Sequence, residues 1–272
     1  MFLIGPYSYP AGTMLSAAQR VGVTSGLVVC LDAGDINSYD GTSQTWTDVS
    51  GNSNDFYRGS GSGSDGSDPT FHGSAGGQSS SEYFQVDGGD AFWQTSSRTF
   101  MNTWHTDAAT FTMAGWVYLP SAPTIASLEF FRNYRDFNDV GISVNISNTP
   151  FLTMLNAPGS GSGQNLGSNS APMSYAQWVF AAVSFAEGTG TSFAQVNGTA
   201  GLFTSDSYSS PSASTAPNGV AINGYPNSAG TALEAAQGEN GQRINSVMAW
   251  SRALSQAEVL GLYTATKARF GL

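Results

Sequence analysis

Two long runs that are apolar on both faces of a strand place the strongest limit on what this chain can fold into. In TFTMAGWVYL, residues 110–119, Phe111 and Met113 share one face and Trp116 lies on the other. Successive side chains of a strand point to opposite faces, so such a strand needs a packed layer on each side. The run QWVFAAVSF, residues 177–185, has the same character. Both runs are therefore predicted to be central strands of a layered β protein.

Shorter runs predict further strands at residues 27–31, 82–86, 128–131, 140–146, 151–155, 219–222 and 244–250. The stretch FAQVNGTAGLF at 193–203 carries Asn197-Gly198, a pair that tolerates positive φ and indicates a hairpin with a type I′ turn. Segments such as GSGSGSDGSD and GSGSGQNLGSNS could link domains, but the strands around them do not form independent blocks. We interpret them as surface loops of an all-β chain, a two-sheet antiparallel jelly-roll sandwich of about ten or more strands.

The last part of the chain predicts one C-terminal helix, over about residues 256–269. Ser255 and Glu258 form a capping box, in which each side chain satisfies a backbone N–H at the helix start. Leu254 and Val259 are placed for a hydrophobic staple, and the apolar residues that follow recur at helical spacing. The helix therefore has one apolar face, which we expect to pack on the outside of the sandwich or on a sheet end.

Composition excludes several classes of function. Nine basic residues stand against nineteen acidic ones, a net charge of −10, which would repel nucleic acid. Cys30 is the only cysteine, so no intrachain disulfide forms and we expect a buried thiol. The apolar start MFLIGPYSYPAG breaks at Gly5 and Pro6 and lacks basic residues, so neither a secretory signal nor a membrane span is expected.

Taken together, four segments resemble the concanavalin A-like lectin and glucanase superfamily, in its laminin-G-like jelly-roll branch. They are GLVVCLDAGDINSYDGTSQTWTDVSGNSNDF at 26–56, FTMAGWVYL, QWVFAAVSF and RINSVMAWSRALSQAEVLGLYTATKARFGL at 243–272. The resemblance implies one jelly-roll domain over residues 26–272. Jelly-roll domains that begin with a segment like residues 26–56 and end in a helix like that of residues 243–272 resemble domains of bacteriophage virion proteins. Fold alone does not give function.

Residues 1–25, which precede that domain, form an N-terminal arm in this interpretation. The arm is too apolar to be a solvated tail, because its side chains would expose a patch that soluble monomers rarely tolerate. Two alternatives follow: the arm folds back onto its own domain, or it docks into a neighbouring copy or another virion protein. Pro6 and Pro10 favour an extended course.

Catalysis is not expected. A glycoside hydrolase needs two carboxyl groups across the scissile bond, and none of the six glutamates forms the E-x-D-x-E pattern of the glucanases. The two histidines, His72 and His105, are not accompanied by a G-x-S-x-G nucleophile elbow. We expect His72 to be a solvated loop residue. His105, next to Trp104, either borders a sugar site or packs near the sandwich edge.

Carbohydrate binding is the function that the side chains favour. Sugars present apolar CH faces to aromatic rings and hydroxyls to polar groups. FRNYRDFND at 131–139 is the densest polar cluster, although an internal salt-bridge network explains it equally well, and several of the aromatic candidates could belong to the core. The candidate ligand-binding residues are Trp93, Trp104, His105, Arg132, Tyr134, Arg135 and Tyr225.

Calcium is a further candidate ligand, because laminin-G-like relatives often carry it between loops. Pairs of aspartates could supply hard oxygen ligands, although D-x-x-D spacings are also common in turns. The candidates are Asp87 with Asp90, Asp136 with Asp139, and Asp32 with Asp35.

From the sequence we therefore expect a non-enzymatic bacteriophage virion surface protein, a capsid decoration or a tail component, with a lectin-like face for host glycans. Its partners would be other virion proteins, contacted through the N-terminal arm, and the chain would be oligomeric within the particle. The alternatives are a secreted or cell-surface carbohydrate-binding module of a bacterium and, third, a glycoside hydrolase.

Overall fold

The computed structural model describes residues 12–94, 99–121, 129–146, 152–167, 172–209, 216, 219–237 and 240–272. Two helices and a 3₁₀ turn lie at the two ends of this region: α1(Met14–Val21), α2(Gln256–Thr266) and the turn Lys267–Phe270. Between them are eighteen strands: β1(Leu27–Asp32), β2(Thr45–Trp46), β3(Phe56–Arg58), β4(Thr70–His72), β5(Tyr83–Val86), β6(Phe92–Gln94), β7(Thr110–Tyr118), β8(Glu129–Arg132), β9(Val140–Ile146), β10(Leu152–Pro158), β11(Gln164–Gly167), β12(Trp178–Ala186), β13(Phe193–Val196), β14(Thr199–Leu202), β15(Val220–Ile222), β16(Gly224–Pro226), β17(Leu233–Ala236) and β18(Gln242–Trp250).

The strands form two large antiparallel sheets. The first, which we call sheet A, has the order β14-β13-β12-β7-β18-β5-β4. β1 also pairs with β18, along residues 246–250, while β5 pairs with its other end at residues 242–244. The second, sheet B, has the order β11-β10-β9-β8-β15-β6-β3-β2, and β16 and β17 form a separate hairpin. The predicted two-sheet antiparallel sandwich with a C-terminal helix is therefore confirmed.

The main core lies between the sheets. Phe111, Met113 and Val117 of β7 point into it, as their alternation predicts, and are fully buried. Trp46, from the two-residue strand β2, packs there against aromatic rings of β5 and β6 in tilted orientations. Both faces of the longest strands are buried because a second core covers the outer face of sheet A.

That second core is made by the helices. Val259 and Leu262 of α2 pack with Trp116 and Phe180 of sheet A. The predicted capping box is confirmed: the Ser255 hydroxyl accepts a bond from the Glu258 N–H, and the Glu258 carboxylate accepts one from the Ser255 N–H at 2.7 Å. The α-helix ends three residues earlier than predicted, because the chain tightens into the 3₁₀ turn before Gly271 stops it at φ 75°.

A buried ion pair joins the two ends of the described chain. Arg269 donates two bonds to the Asp32 carboxylate, at 2.7 and 2.9 Å, and both side chains are fully buried. Asp32 also accepts the N–H of Met14, the first residue of α1, at 2.8 Å. Arg269 therefore anchors the end of the chain in the interior. The other Asp32 oxygen accepts the Gly34 N–H at 2.9 Å, so each carboxylate oxygen already accepts two bonds.

Helix α1 lies within the predicted N-terminal arm and was not itself predicted. Met14, Ala17 and Ala18 are fully buried, and α1 contacts α2 and β1. Residues 12–25 therefore pack on the sandwich. Residues 1–11 lie outside the described residues, so the docking expectation stays a prediction for that segment.

Every predicted strand has a counterpart in the structure, with small shifts at the ends. Leu128 and Phe151, each at the start of a predicted strand, lie outside the described residues. The hairpin over 193–203 is also present, but only Asn197 of its two turn residues has positive φ, at 52°, so the turn departs from the type I′ form. Cys30 is buried as predicted. Among the described residues, no helix is long and apolar enough to span a bilayer.

Candidate functional site

One corner of sheet B brings together four of the residues that the sequence singles out. There β8 pairs with β15, and the chain continues from β15 into the hairpin of β16 and β17. Side chains separated by about a hundred positions in sequence meet at this point. We call this set the Arg132 corner: Glu129, Arg132, Tyr134, Arg135, Tyr225, Glu234 and Gln237.

The guanidinium of Arg132 lies at the centre of the corner. Its Cζ atom is 4.3 Å from the ring centre of Tyr134 and 4.7 Å from that of Tyr225. Its Nε donates to the Tyr134 carbonyl at 2.8 Å, and one terminal nitrogen donates to the Arg135 carbonyl. The other terminal nitrogen bonds the Glu129 carboxylate at 3.0 Å and the Gln237 amide oxygen at 3.4 Å. Arg132 therefore holds the 133–135 segment and the two rings in place.

Burial changes the acid–base properties of these groups. Burial raises the pKa of Glu129 above its usual value, against the opposite effect of Arg132. It would lower the pKa of Arg132, but the Glu129 carboxylate raises that pKa instead. Burial also raises the pKa of Tyr134 to about 12. Groups perturbed by burial together with a specific charge partner are concentrated at functional sites.

Two buried oxygens have no hydrogen-bond partner here: Glu129 Oε2, which belongs to the corner, and Asn223 Oδ1, which lies beside it. The Asn223 N–H donates to the Glu129 carbonyl at 2.8 Å, so the two residues are neighbours. Buried polar groups are nearly always satisfied in a protein interior, and each exception calls for an explanation. The corner therefore has unsatisfied polar atoms in its interior.

The surface of the corner is formed by Arg135, Glu234 and Tyr225. The Arg135 side chain is 47% exposed and lies 2.8 Å from the Glu234 carboxylate, which is 33% exposed. Tyr225 is half-buried, with the Arg132 guanidinium against its ring. The corner thus carries an exposed guanidinium–carboxylate pair and a half-buried aromatic ring, both held by Arg132.

Three other predicted ligand residues lie elsewhere, in the interior. Trp93 is 3% exposed, Trp104 is 4% exposed and His105 is fully buried. Trp104 stacks on Phe111 with ring centres 4.7 Å apart, so residues 99–109 fold under the sandwich edge instead of bordering a site. Tyr134 is also buried and supports Arg132 from below. None of these four rings offers a face to a sugar, which corrects the expectation from sequence.

The aspartate pairs form local turns. The Asp136 carboxylate accepts the N–H of Asn138 at 2.8 Å, and the Asp87 carboxylate accepts that of Gly89 at 2.9 Å. Asp139 accepts the N–H of Arg135. Burial, and then the charge of Asp87, raises the pKa of Asp90 to about 6. Within the described ranges no three His, Cys, Asp or Glu side chains are grouped as a metal site would need, so calcium stays an untested expectation.

Sequence reasoning missed Glu129, Glu234, Gln237 and Asn223. Glu129 is three residues before Arg132, a spacing that could have suggested a pair, but it lies in a run predicted to be a strand. Strand neighbours two apart share a face, so a separation of three gives no pairing signal there. Asn223 lies between β15 and β16, Glu234 lies in β17 and Gln237 follows it, so all three reach the corner only through tertiary pairing.

Comparison with solved structures supports the same architecture. A structure of botulinum neurotoxin type C, which depends on interaction with two ganglioside molecules to enter cells, has a TM-score of 0.59 and 11% identity and covers 91% of this chain. The binding domain of botulinum neurotoxin DC, in complex with SialylT, has a TM-score of 0.57, 11% identity and 89% coverage. Trypanosoma rangeli sialidase in complex with sialic acid has a TM-score of 0.54 and 13% identity, and the match covers 90% of this chain.

These likenesses concern the fold alone. The chain spans about half the length of the two neurotoxin chains, 53% and 52%, and 33% of the sialidase chain. No family model and no curated protein sequence matches the chain.

Proposed function

We propose that this chain is a non-enzymatic carbohydrate-binding domain whose glycan site is the Arg132 corner. The observation that carries the proposal is that Arg132, buried and paired with Glu129, contacts both the Tyr225 ring and the backbone of Arg135, whose side chain forms the exposed pair with Glu234. The aromatic ring suits the CH face of a sugar, and the two charged groups suit its hydroxyls. The buried pair fixes these groups before a ligand arrives, which lowers the entropic cost of binding.

The structural neighbours support a binding role. Two of them are described by their interaction with ganglioside molecules or with SialylT, and a third is a sialidase in complex with sialic acid. The sandwich that they share with this chain is a scaffold on which glycan sites occur.

A hydrolase is a weaker candidate on the same geometry. The carboxyl group with the raised pKa, Glu129, would be the natural acid. It is 1% exposed and bonded to Arg132, so a glycosidic oxygen could not reach it. We therefore propose that the corner binds and does not cleave.

A glycan array probed with the intact chain tests the proposal. Tyr225→Ala and Arg135→Gln should each weaken binding of the best array ligand by about tenfold, the loss expected for one good contact. Arg20→Gln, an exposed arginine at the α1–α2 contact, is the matched control and should bind normally. An array without any hit would refute the function, and full binding by both corner variants would refute the site.

We further propose that the domain is displayed on a bacteriophage particle as a capsid decoration or tail component. The proposal rests on the resemblance of residues 26–56 and 243–272 to virion domains and on the apolar composition of residues 1–11. In this arrangement residues 1–11 contact other virion proteins, several copies assemble on the particle, and the corner faces host glycans. Mass spectrometry of purified particles would detect the chain if this is correct, whereas recovery only from the bacterial surface or medium would favour a bacterial carbohydrate-binding module.

A further inference from the structure

A second cluster of aromatic and basic side chains lies on the outer face of sheet A, where neither helix covers it completely. Four neighbouring strands, β5, β18, β7 and β12, contribute one residue each. In register, Arg243 lies opposite Tyr118, and Tyr118 lies opposite Trp178. We call this set the Arg243 cluster: Tyr83, Arg243, Tyr118 and Trp178.

The rings of the cluster close around the guanidinium. The Arg243 Cζ atom is 4.4 Å from the ring centre of Tyr118 and 4.8 Å from that of Tyr83. The Trp178 ring centre is 5.9 Å from both tyrosine ring centres. His72 stacks on Tyr83 from β4, so it is a strand residue and not the solvated loop residue that the sequence suggested. The two tyrosine rings, themselves packed against Trp178 and His72, therefore hold the Arg243 guanidinium in place.

Arg243 differs from Arg132 and Arg269 in its hydrogen bonding. Arg132 and Arg269 bond carboxylates and carbonyls, but Arg243 donates no hydrogen bond and forms no ion pair with any described residue. Its Nε is buried without a partner, and its two terminal nitrogens are not among the buried atoms. A buried donor without an acceptor destabilises a fold. The cluster thus holds a preorganised cation whose outer donors reach solvent.

An oxyanion is the kind of ligand group that would bind the free donors of this guanidinium. A guanidinium presents a planar fork of donors that matches a carboxylate or a sulfate group bidentately. The partly exposed tyrosine rings on both sides suit the CH faces of a sugar that carries this group. A neutral sugar would leave the charge of the fork uncompensated.

We propose that the Arg243 cluster is a second saccharide site, specific for an acidic sugar whose carboxylate or sulfate group is bound by Arg243. The site is on sheet A and shares no residue with the Arg132 corner on sheet B. It extends the proposed carbohydrate binding to a class of substrate, but it does not depend on where the corner ligand binds. The net charge of −10 opposes an acidic ligand at long range, yet at physiological ionic strength charges are screened beyond about 8 Å, so local contacts decide.

Calorimetry on the intact chain tests this proposal with four probes: a galacturonate trimer, a galactose trimer of the same linkage, a sulfated galactose trimer and sodium sulfate. The acidic trimers should bind about tenfold to a hundredfold more tightly than the neutral trimer, because hydrogen bonds to a charged group are the stronger ones. Whether the carboxylate or the sulfate form binds more tightly identifies the source of the oxyanion. Sodium sulfate alone should bind weakly, because it does not contact the rings.

Arg243→Gln should remove the preference for the acidic trimers, and Arg243→Lys, which keeps the charge and the aliphatic contacts, should reduce it. Arg20→Gln is the control and should keep the full preference, and melting curves establish that each variant is folded. Equal binding of acidic and neutral trimers, or an unchanged preference in Arg243→Gln, would overturn the proposal. Sulfate binding as tight as that of the sulfated trimer would mean an adventitious anion site only. Neutral glycan binding that is lost in Tyr225→Ala, together with no preference for the acidic trimers in the unaltered chain, would leave the proposed function intact while refuting this site.

Discussion

At the scale of single residues, burial decides what each arginine does in this chain. The Arg269 side chain is fully buried and donates hydrogen bonds to Asp32. Arg132 donates hydrogen bonds to Glu129 and to backbone carbonyls. Arg135 is 47% exposed and forms a surface pair with Glu234. A buried ion pair is rarely a net source of stability, but removing one partner leaves an uncompensated charge in the interior.

The first prediction follows from that asymmetry. Glu129→Gln leaves the charge of Arg132 unpaired, so the free energy of unfolding should fall by at least about 3 kcal/mol. Arg135→Gln breaks an exposed pair and should cost less than about 1 kcal/mol. Urea denaturation of both variants measures the difference. Equal losses would show that Glu129 and Arg132 are solvated in solution.

The second prediction concerns Asp90, whose pKa burial and Asp87 raise from 3.8 to about 6. Between those values the folded chain binds more protons at this residue than the unfolded chain does. The contribution of Asp90 to stability therefore falls as the pH rises through this window. Asp90→Asn cannot ionise, so its unfolding free energy should improve relative to the unaltered chain as the pH rises from about 4 to about 7.

Asp136→Asn is the control, and its unfolding free energy relative to that of the unaltered chain should change with pH in the opposite direction. The reason is that bonds from the backbone and side chain of Asn138 lower the pKa of Asp136. Chemical denaturation at a series of pH values measures both variants. A difference between Asp90→Asn and the unaltered chain that does not change with pH would mean that Asp90 titrates normally.

At the scale of elements, long runs gave the clearest strand predictions. The nine-residue strands β7 and β12 show their alternation clearly, and both are present. β2, with two residues, and β3, β4 and β6, with three each, are too short to carry a period. Helix α1 has only eight residues and depends on burial of Met14, Ala17 and Ala18 beneath its neighbours, which is a tertiary effect.

The sequence predicted part of the candidate site. Arg132, Arg135 and Tyr225 were chosen because polar and aromatic residues are concentrated in loop-like sequence, and the fold does bring them together. Trp104 and His105 matched the same local pattern but are buried, since local composition does not reveal which loop folds under the sheet edge. Arg243 was missed because its partners come from three other strands.

The third prediction belongs to helix α2. Ser255→Ala removes the hydroxyl that accepts the Glu258 N–H and should lower the unfolding free energy by about 1 kcal/mol. Ser251→Ala, a nearby exposed serine outside the cap, should change it by less than about 0.5 kcal/mol. Arg252 and Ser255 lower the pKa of Glu258 to about 2, so the Glu258 carboxylate of the capping box stays ionised down to about pH 3. The loss of unfolding free energy in Ser255→Ala should therefore persist down to that pH. Melting temperatures that are the same for both variants would mean that the cap contributes nothing.

At the scale of the whole molecule, both ends of the described chain close the same outer core. Met14 N–H and Arg269 meet on the Asp32 carboxylate, the Trp250 indole donates to the Val23 carbonyl at 2.6 Å, and the Trp116 indole donates to the Thr266 hydroxyl at 2.9 Å. Removing α1 would expose this core and leave donors and acceptors of the network unpaired. Residues 12–25 therefore belong to the folded unit, although sequence reasoning grouped them with the arm.

The fourth prediction uses this division to separate a structural role of the N-terminus from a docking role. Deleting residues 1–25 removes α1 and its contacts, so the melting temperature should fall by several degrees, since each 1 kcal/mol costs about 2–4 °C in a domain of this size. Deleting residues 1–11 keeps Thr13, the N-cap of α1, and the Met14 bond to Asp32, so the melting temperature should stay within about 2 °C of that of the full chain. If residues 1–11 dock on other virion proteins, this shorter deletion should yield folded protein that is missing from purified particles. Normal incorporation of the folded 12–272 chain would refute the docking role, and a large loss of stability in that chain would show instead that residues 1–11 cover their own domain.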